Sequence, residues 1–185
     1  MGNNRIKSHS LSFFIFFFAV FISIHPCCAS NPNVTKLVDD VCAKTSNYSF
    51  CVDSLYADPL TPEADKISLV NIAFRLAYEN ASSTQNHIEE LLKNNGGSSQ
   101  CRQCLERCGS DYQKGLSAIG KGMNDLDSEN YDLLPGYADD AARSASDCES
   151  SFGGSHSPLT FMNNAFKALS EICIVISNLI NNPHK

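Results

Sequence analysis

Four long segments of this 185-residue sequence repeat apolar residues every three or four positions, which is the periodicity of an amphipathic helix. They cover about residues 61–93, 100–126, 131–152 and 157–182, and turn-forming clusters such as "NNGGSS" at 94–99 separate them. No segment alternates apolar and polar residues over the length of a strand. The sequence therefore predicts an all-α fold in which residues 61–182 form an up-and-down four-helix bundle.

Two of these helices carry recognisable start signals. In "LTPEAD", Thr61 is predicted to be the N-cap, with Pro62 at the first helical position. In "HSPL", Ser157 is the predicted N-cap, and Pro158 follows it.

A helical hairpin is predicted ahead of the bundle, within residues 31–58. Apolar residues at 34, 37, 38 and 41 share one helix face, and a second short helix passes through Phe50 and Leu55. Cys42 ends the first helix and Cys51 begins the second, so the two cysteines are expected to meet across the turn. A disulfide closing this loop would stabilise the fold by about 2.5 kcal/mol.

Residues 1–30 have the pattern of a secretory signal peptide. Arg5 and Lys7 precede an apolar run at 11–24, and "PCCAS" offers small residues for cleavage. The prediction is a domain of residues 31–185 that is secreted to the extracellular space, with no membrane segment after signal removal. The chain holds 14 Lys+Arg against 20 Asp+Glu, and no basic cluster follows the signal, which argues against a nucleic-acid partner.

Seven cysteines follow the predicted signal, and secretion makes disulfides the first expectation for them. Cys108 and Cys148 lie on the inward stripes of neighbouring helices and can face each other; a bridge there would contribute about 4 kcal/mol. Cys173, also on an apolar stripe, is predicted to be a buried thiol. Cys101 and Cys104 form a C-x-x-C without the strand–helix context of a redox motif, so a local disulfide and two thiols awaiting an intermolecular partner both remain open.

Three glycosylation sequons accompany the predicted secretory route. They begin at Asn33, Asn47 and Asn80.

No catalytic or metal-binding motif is found in the sequence. The patterns H-E-x-x-H, G-x-S-x-G and Gly-rich phosphate loops are missing, and the acidic "DLDSEN" at 125–130 lacks the spacing of a calcium loop. We therefore expect a protein that is not an enzyme and that uses neither a cofactor nor a metal.

The stretch "CAKTSNYSFC" resembles the opening of the plant invertase and pectin methylesterase inhibitor family, whose signature is C-x-x-T-x-N-Y-x-x-C. The matching residues are Cys42, Thr45, Asn47, Tyr48 and Cys51. "CGSDY" at 108–112, "DCESSF" at 147–152 and "SPLTFMNNAFKALSEICIVISNLI" at 157–180 resemble later parts of the family, so the likeness covers nearly all of residues 31–185.

This resemblance implies a hairpin plus a four-helix bundle, with one disulfide in the hairpin and one across the bundle. It also implies a secreted, monomeric protein of the apoplast or cell wall that forms a 1:1 complex with a carbohydrate-active enzyme and blocks its cleft.

The resemblance leaves the target open between pectin methylesterase and invertase. The Pro-Lys-Phe motif that invertase inhibitors of the family can carry is replaced here by "LDSENYDLLPGY", which argues against invertase. The acidic residues and the Thr typical of pectin methylesterase inhibitors are also replaced, whereas "ICIVISNL" in the last helix resembles that branch. Pectin methylesterase is the first expectation and invertase the second; a non-inhibitory extracellular interaction protein on the same scaffold is a third.

The predicted target-contact surface lies on the second and third bundle helices. Its residues are Ser110, Lys114, Ser117, Asp139, Asp140 and Asp147.

Overall fold

A computed structural model describes residues 34–94, 99–154 and 156–182. They form six α-helices: α1 Lys36–Cys42, α2 Tyr48–Tyr56, α3 Lys66–Lys93, α4 Ser99–Asp127, α5 Leu134–Ser150 and α6 Thr160–Asn181. No strand occurs in these ranges, and the predicted all-α fold of a hairpin followed by a four-helix bundle is confirmed. The signal peptide predicted at 1–30 and the sequon residue Asn33 lie outside the described residues.

The four long helices pack in the cyclic order α3, α4, α5, α6, so that α6 returns to α3. Their inward faces bury large side chains completely, among them Phe74, Tyr112 and Phe166. The rings of Tyr112 and Phe166 stack with their centroids 5.5 Å apart. The apolar stripes seen in the sequence therefore form one continuous core.

The hairpin of α1 and α2 is closed by a disulfide and joined to α6 by hydrogen bonds. Cys42 and Cys51 form a disulfide with Cα atoms 5.5 Å apart. The backbone N–H and the hydroxyl of Ser46 donate to the Glu171 carboxylate at 2.9 and 2.6 Å. Asn47 caps α2 by accepting from the N–H of Phe50.

The predicted start of the first bundle helix at Thr61 and Pro62 was wrong. Thr61–Glu63 is a separate 3-10 turn, and Ala64 is extended before α3 begins at Lys66. The Thr61 hydroxyl donates to the carbonyl of Leu55, and the extended Ala64 separates this turn from α3, so Thr61 does not cap the helix. Asp65 is the N-cap, since its side chain accepts from the N–H of Ser68 at 2.7 Å.

The last helix also begins later than predicted, because Ser157 is not its N-cap. The Ser157 hydroxyl oxygen accepts from the N–H of Leu159 at 3.1 Å and closes a turn ahead of the helix. The first residue of α6 is Thr160, and no side-chain hydrogen bond caps it. The preceding helix ends at Ser150, two residues before the predicted end.

Two glycines of α4 mark close approaches between helices. A Cβ atom on Gly122 would lie 2.2 Å from a ring carbon of Phe74, and one on Gly115 would lie 2.9 Å from a ring carbon of Phe166. At Gly120 a Cβ would meet nothing within 4 Å. Gly122 and Gly115 thus let buried aromatic rings pack against the backbone of α4.

Candidate docking surface on α4 and α5

An open groove of about 620 Å³ runs along the outside of the bundle between α4 and α5. Its lining consists of Ser110, Gln113, Lys114, Ser117, Ala118, Lys121, Tyr137, Asp140, Arg143, Ser144 and Asp147. These side chains carry amines, a guanidinium, carboxylates and hydroxyls, and no histidine or cysteine is among them. The groove therefore offers hydrogen bonds and charges to a partner rather than a nucleophile with a base.

Five of the six residues predicted from sequence to contact a target line this one groove. Successive turns of α4 contribute Ser110, Lys114 and Ser117, and α5 contributes Asp140 and Asp147. The sixth, Asp139, does not line the groove. Its carboxylate pairs instead with Arg143, whose side chain does.

Lys114 is 68% exposed at the groove, and its amine also neutralises a buried carboxylate. Its amine donates to Asp111 Oδ1 at 2.9 Å, and Asp111 is only 3% exposed. The other oxygen of Asp111 is buried and has no hydrogen-bond partner among the described residues. Reversing the charge of Lys114 would therefore leave an uncompensated buried carboxylate and would disturb folding as well as docking.

The other two basic side chains of the groove differ in how they are paired. The Arg143 guanidinium pairs with the carboxylates of Asp139 and Asp140, and its Nη2 lies 3.4 Å from Asp140 Oδ1. Lys121 is exposed and has no ion pair within the described part of the chain.

The acidic connection between α4 and α5 lies between Lys121 and Tyr137, two residues that line the groove. Between Lys121 and Arg143 the sequence has six carboxylates and no basic residue: Asp125, Asp127, Glu129, Asp132, Asp139 and Asp140. Leu133, in the same connection, is 55% exposed. This end of the surface is suited to a partner surface of positive charge.

The connection is held in a defined conformation by backbone hydrogen bonds. The N–H of Asn130 donates to the carbonyl of Asp125 at 2.8 Å. Glu129, the residue before it, has a left-handed backbone conformation with φ 56°. The side-chain amide of Asn181 on α6 donates to the carbonyl of Tyr131 at 3.0 Å. Burial and the nearby Asp125 carboxylate raise the pKa of Tyr137, so its hydroxyl stays protonated at the rim of the groove.

Beneath the groove, α4 and α5 are linked covalently and by a polar network. Cys108 and Cys148 form a disulfide with Cα atoms 4.4 Å apart. The Tyr112 hydroxyl donates to Asn163 Oδ1 at 2.8 Å, and the Asn163 amide donates to Glu149 at 2.6 Å. Burial raises the pKa of Tyr112, which keeps this donor protonated.

Three buried polar residues of the bundle were not predicted from the sequence: Asp111 of α4, Ser144 of α5, which lines the groove, and Asn163 of α6. Each stands beside apolar positions of its helix stripe, and that interruption was the only signal available. Polar groups at such positions need internal partners, since an unpaired buried group costs about 1–3 kcal/mol.

The three other cysteines of the described residues are not part of the groove. Cys104 is half-buried, and its thiol donates to the carbonyl of Ser151 at 3.1 Å. Cys101 is half-buried one helical turn earlier. Cys173 is fully buried in α6, and this burial raises the pKa of its thiol.

Neither a metal site nor a membrane segment is found in the ranges that the structure covers. There, no group of three or more His, Cys, Asp or Glu side chains is arranged to hold a metal ion. The helices of the same ranges fall short of the length and apolar content that crossing a bilayer requires.

The family model of the plant invertase/pectin methylesterase inhibitor matches residues 36–176 of the chain. This match covers both the hairpin and nearly all of the bundle.

Proteins named as pectinesterase inhibitors and proteins named as inhibitors of invertase or fructosidase are both similar to the chain. A pectinesterase inhibitor of Actinidia deliciosa is 29% identical over 177 residues, which are 92% of this chain and 95% of that protein. A cell wall/vacuolar inhibitor of fructosidase from Arabidopsis thaliana is 31% identical over 104 residues, which are 56% of this chain and 58% of that protein. A putative invertase inhibitor of Platanus acerifolia is 28% identical over 92% of this chain and 97% of that protein.

Solved structures share the fold. The crystal structure of a mutant form of a pectin methylesterase inhibitor from Arabidopsis matches with a TM-score of 0.69 and 19% identity, over 78% of this chain and 97% of that one. A second crystal structure of a pectin methylesterase inhibitor from Arabidopsis thaliana matches with a TM-score of 0.60 and 18% identity, over 78% and 96% of the two chains. Both likenesses concern the architecture alone.

Proposed function

Because the chain belongs to the plant invertase/pectin methylesterase inhibitor family, it is an inhibitor of enzymes rather than an enzyme, and we propose that its target is a pectin methylesterase. We propose further that it reaches this target by secretion, with residues 1–30 as the signal peptide, and that it acts as a monomer in the extracellular space.

The acidic connection between α4 and α5, next to the groove, is the observation that favours this target. Six carboxylates and no basic residue lie between Lys121 and Arg143. An enzyme that acts on pectin binds a polymer whose de-esterified units are carboxylates, so its cleft must tolerate or attract negative charge. An acidic inhibitor surface is complementary to such a cleft.

The same charge argues against the second candidate, an invertase. Hydrolysis of a glycosidic bond generally relies on a pair of carboxyl side chains in the active site. A segment with six carboxylates would be repelled from such a site. Invertase is kept as a candidate because relatives named as inhibitors of invertase or fructosidase are similar to this chain.

The rigidity of the surface suits the role of an inhibitor. Its two helices are joined by the Cys108–Cys148 disulfide, and the connection between them is tied to α6 through Asn181. A surface that is already ordered loses little conformational entropy on docking.

A paired inhibition assay tests the proposed target. The oxidised, purified protein is titrated against a plant pectin methylesterase and a cell-wall invertase at pH 5 and pH 7. The expected result is loss of pectin methylesterase activity at near-stoichiometric inhibitor, with invertase unaffected.

Loss of invertase activity alone would replace the proposed target by the second candidate. Full activity of both enzymes, with a helical circular-dichroism spectrum, would identify a non-inhibitory protein on the same scaffold.

A further inference from the structure

We propose that Asn47 carries an N-linked glycan in the secreted protein and that the sequon at Asn80 stays unmodified. The inference rests on the secretory route proposed above, and it concerns a modification that the inhibitory function does not require. It follows from the different positions of the two sequons in the fold.

Asn47 is exposed in the turn between α1 and α2. Its Oδ1 accepts from the N–H of Phe50 at 3.1 Å, while its Nδ2 makes no hydrogen bond within the described residues. The glycan of an Asn-x-Ser sequon is attached to Nδ2. A glycan here leaves the helix cap in place, because the cap uses only the oxygen.

Ser49, the third residue of this sequon, is also exposed. Residues 46–49 thus present the complete sequon at the surface of the folded protein, as the modification requires of a surface site.

The chemistry needs a donor of one class, a lipid diphosphate-linked oligosaccharide. A bond forms between Nδ2 of Asn47 and the anomeric carbon of the sugar, and the bond from that carbon to the phosphate oxygen breaks. Nδ2 gives up one proton to a base of the transferring enzyme, and the lipid diphosphate leaves.

The sequon at Asn80 lies in the middle of the 28-residue helix α3. The side-chain oxygen of Asn80 is buried and has no partner among the described residues, and the next residue, Ala81, is fully buried. Asn80 as a whole is half-buried, but its oxygen is enclosed, so a glycan on the same carboxamide would lie close against the bundle. The folded chain therefore disfavours this site.

The glycan on Asn47 would be attached away from the candidate docking surface. The neighbouring residue, Ser46, is bound to Glu171 of α6, whereas all residues that line the groove belong to α4 and α5. Inhibition is expected to be the same with and without the glycan.

The test expresses the full chain in a eukaryotic secretory system and maps each sequon peptide by mass spectrometry before and after treatment with an N-glycosidase. Two variants remove the sequon but keep an N-cap oxygen: Ser49→Ala and Asn47→Asp. A third, Ser82→Ala, removes the sequon at Asn80.

The wild type is expected to carry a glycan on the Asn47 peptide and none on the Asn80 peptide. Ser49→Ala and Asn47→Asp lose that glycan, and Ser82→Ala leaves the mass pattern unchanged. A secreted protein with unmodified Asn47, or with a glycan on Asn80, overturns the proposal while the secretory route stands. A protein retained in the cytosol without any glycan overturns the route and the site together.

Discussion

At the scale of single residues, the three glycines in the middle of α4 have different roles. From the sequence, Gly115, Gly120 and Gly122 are each expected to weaken the helix by up to about 1 kcal/mol relative to alanine. The structure separates them, since a Cβ on Gly122 or Gly115 would collide with a buried ring, whereas a Cβ on Gly120 would meet open space. Of the three, Gly120 is the one at which helix propensity alone predicts the effect of an alanine substitution.

This difference gives a prediction with an internal control. Gly122→Ala should destabilise the protein by roughly 1–3 kcal/mol, because the buried Phe74 ring must move to admit the methyl group. Gly120→Ala should stabilise it by about 0.4–1 kcal/mol, because the helix gains propensity and the new methyl group meets no neighbour. Urea denaturation of both variants measures the two effects; equal shifts in the same direction would contradict the packing account.

Buried polar residues are the part of the site that the sequence does not predict. Ser110, Lys114 and Ser117 could be assigned to a common helix face from their spacing alone. Asp111 is next to that face in sequence, and its pairing with Lys114 is an i,i+3 contact that spacing within one helix allows. What that spacing does not show is that Asp111 is only 3% exposed, because burial depends on how the neighbouring helices cover α4.

At the scale of elements, the helices themselves could be predicted and their first turns could not. The apolar stripes of α3 to α6 required only local periodicity, and all four helices are present. The choice of N-cap failed at Thr61 because it starts a separate 3-10 turn, and at Ser157 because its oxygen accepts from Leu159 in a turn ahead of the helix. A sequence signal for a cap identifies an available side chain, but competing partners decide where the helix starts.

The observed cap, Asp65, gives a prediction on pH dependence. Hydrogen bonds from the backbone N–H of Ser68, above all, hold the pKa of Asp65 below its usual value. The stabilisation by the carboxylate is therefore present above the unfolded pKa of about 3.9 and is lost as the pH falls through the lower folded pKa. Wild type should be more stable than Asp65→Ala at pH 7, and this gap should narrow below about pH 4.

Asp65→Asn is the matched control for this prediction. Asparagine also caps helices, but it does not titrate. In thermal melts of the three proteins, the difference in stability between Asp65→Asn and Asp65→Ala should not change with pH. A wild-type advantage that is equally independent of pH would show that the carboxylate charge does not contribute.

At the scale of the whole molecule, the disulfide-stapled architecture could be predicted because two independent patterns agree. Helical periodicity fixes the bundle, and the cysteine spacing of 9 and 40 residues matches the two bridges that the structure contains. The groove between α4 and α5 could be anticipated only as two helix faces. That these two faces meet in one groove depends on how α4 packs against α5.

Inhibition through the α4–α5 surface is tested most directly by reversing one exposed charge in the groove. Asp147 lines the groove, is exposed and has no ion pair among the described residues; Asp53, exposed on α2 and likewise unpaired there, is the control. We would measure the inhibition constant of Asp147→Lys and Asp53→Lys against pectin methylesterase at low and at physiological salt. Asp147→Lys should weaken inhibition about tenfold, mostly through slower association at low salt, while Asp53→Lys should leave it unchanged. Equal inhibition by both variants and the wild type would contradict docking through this surface.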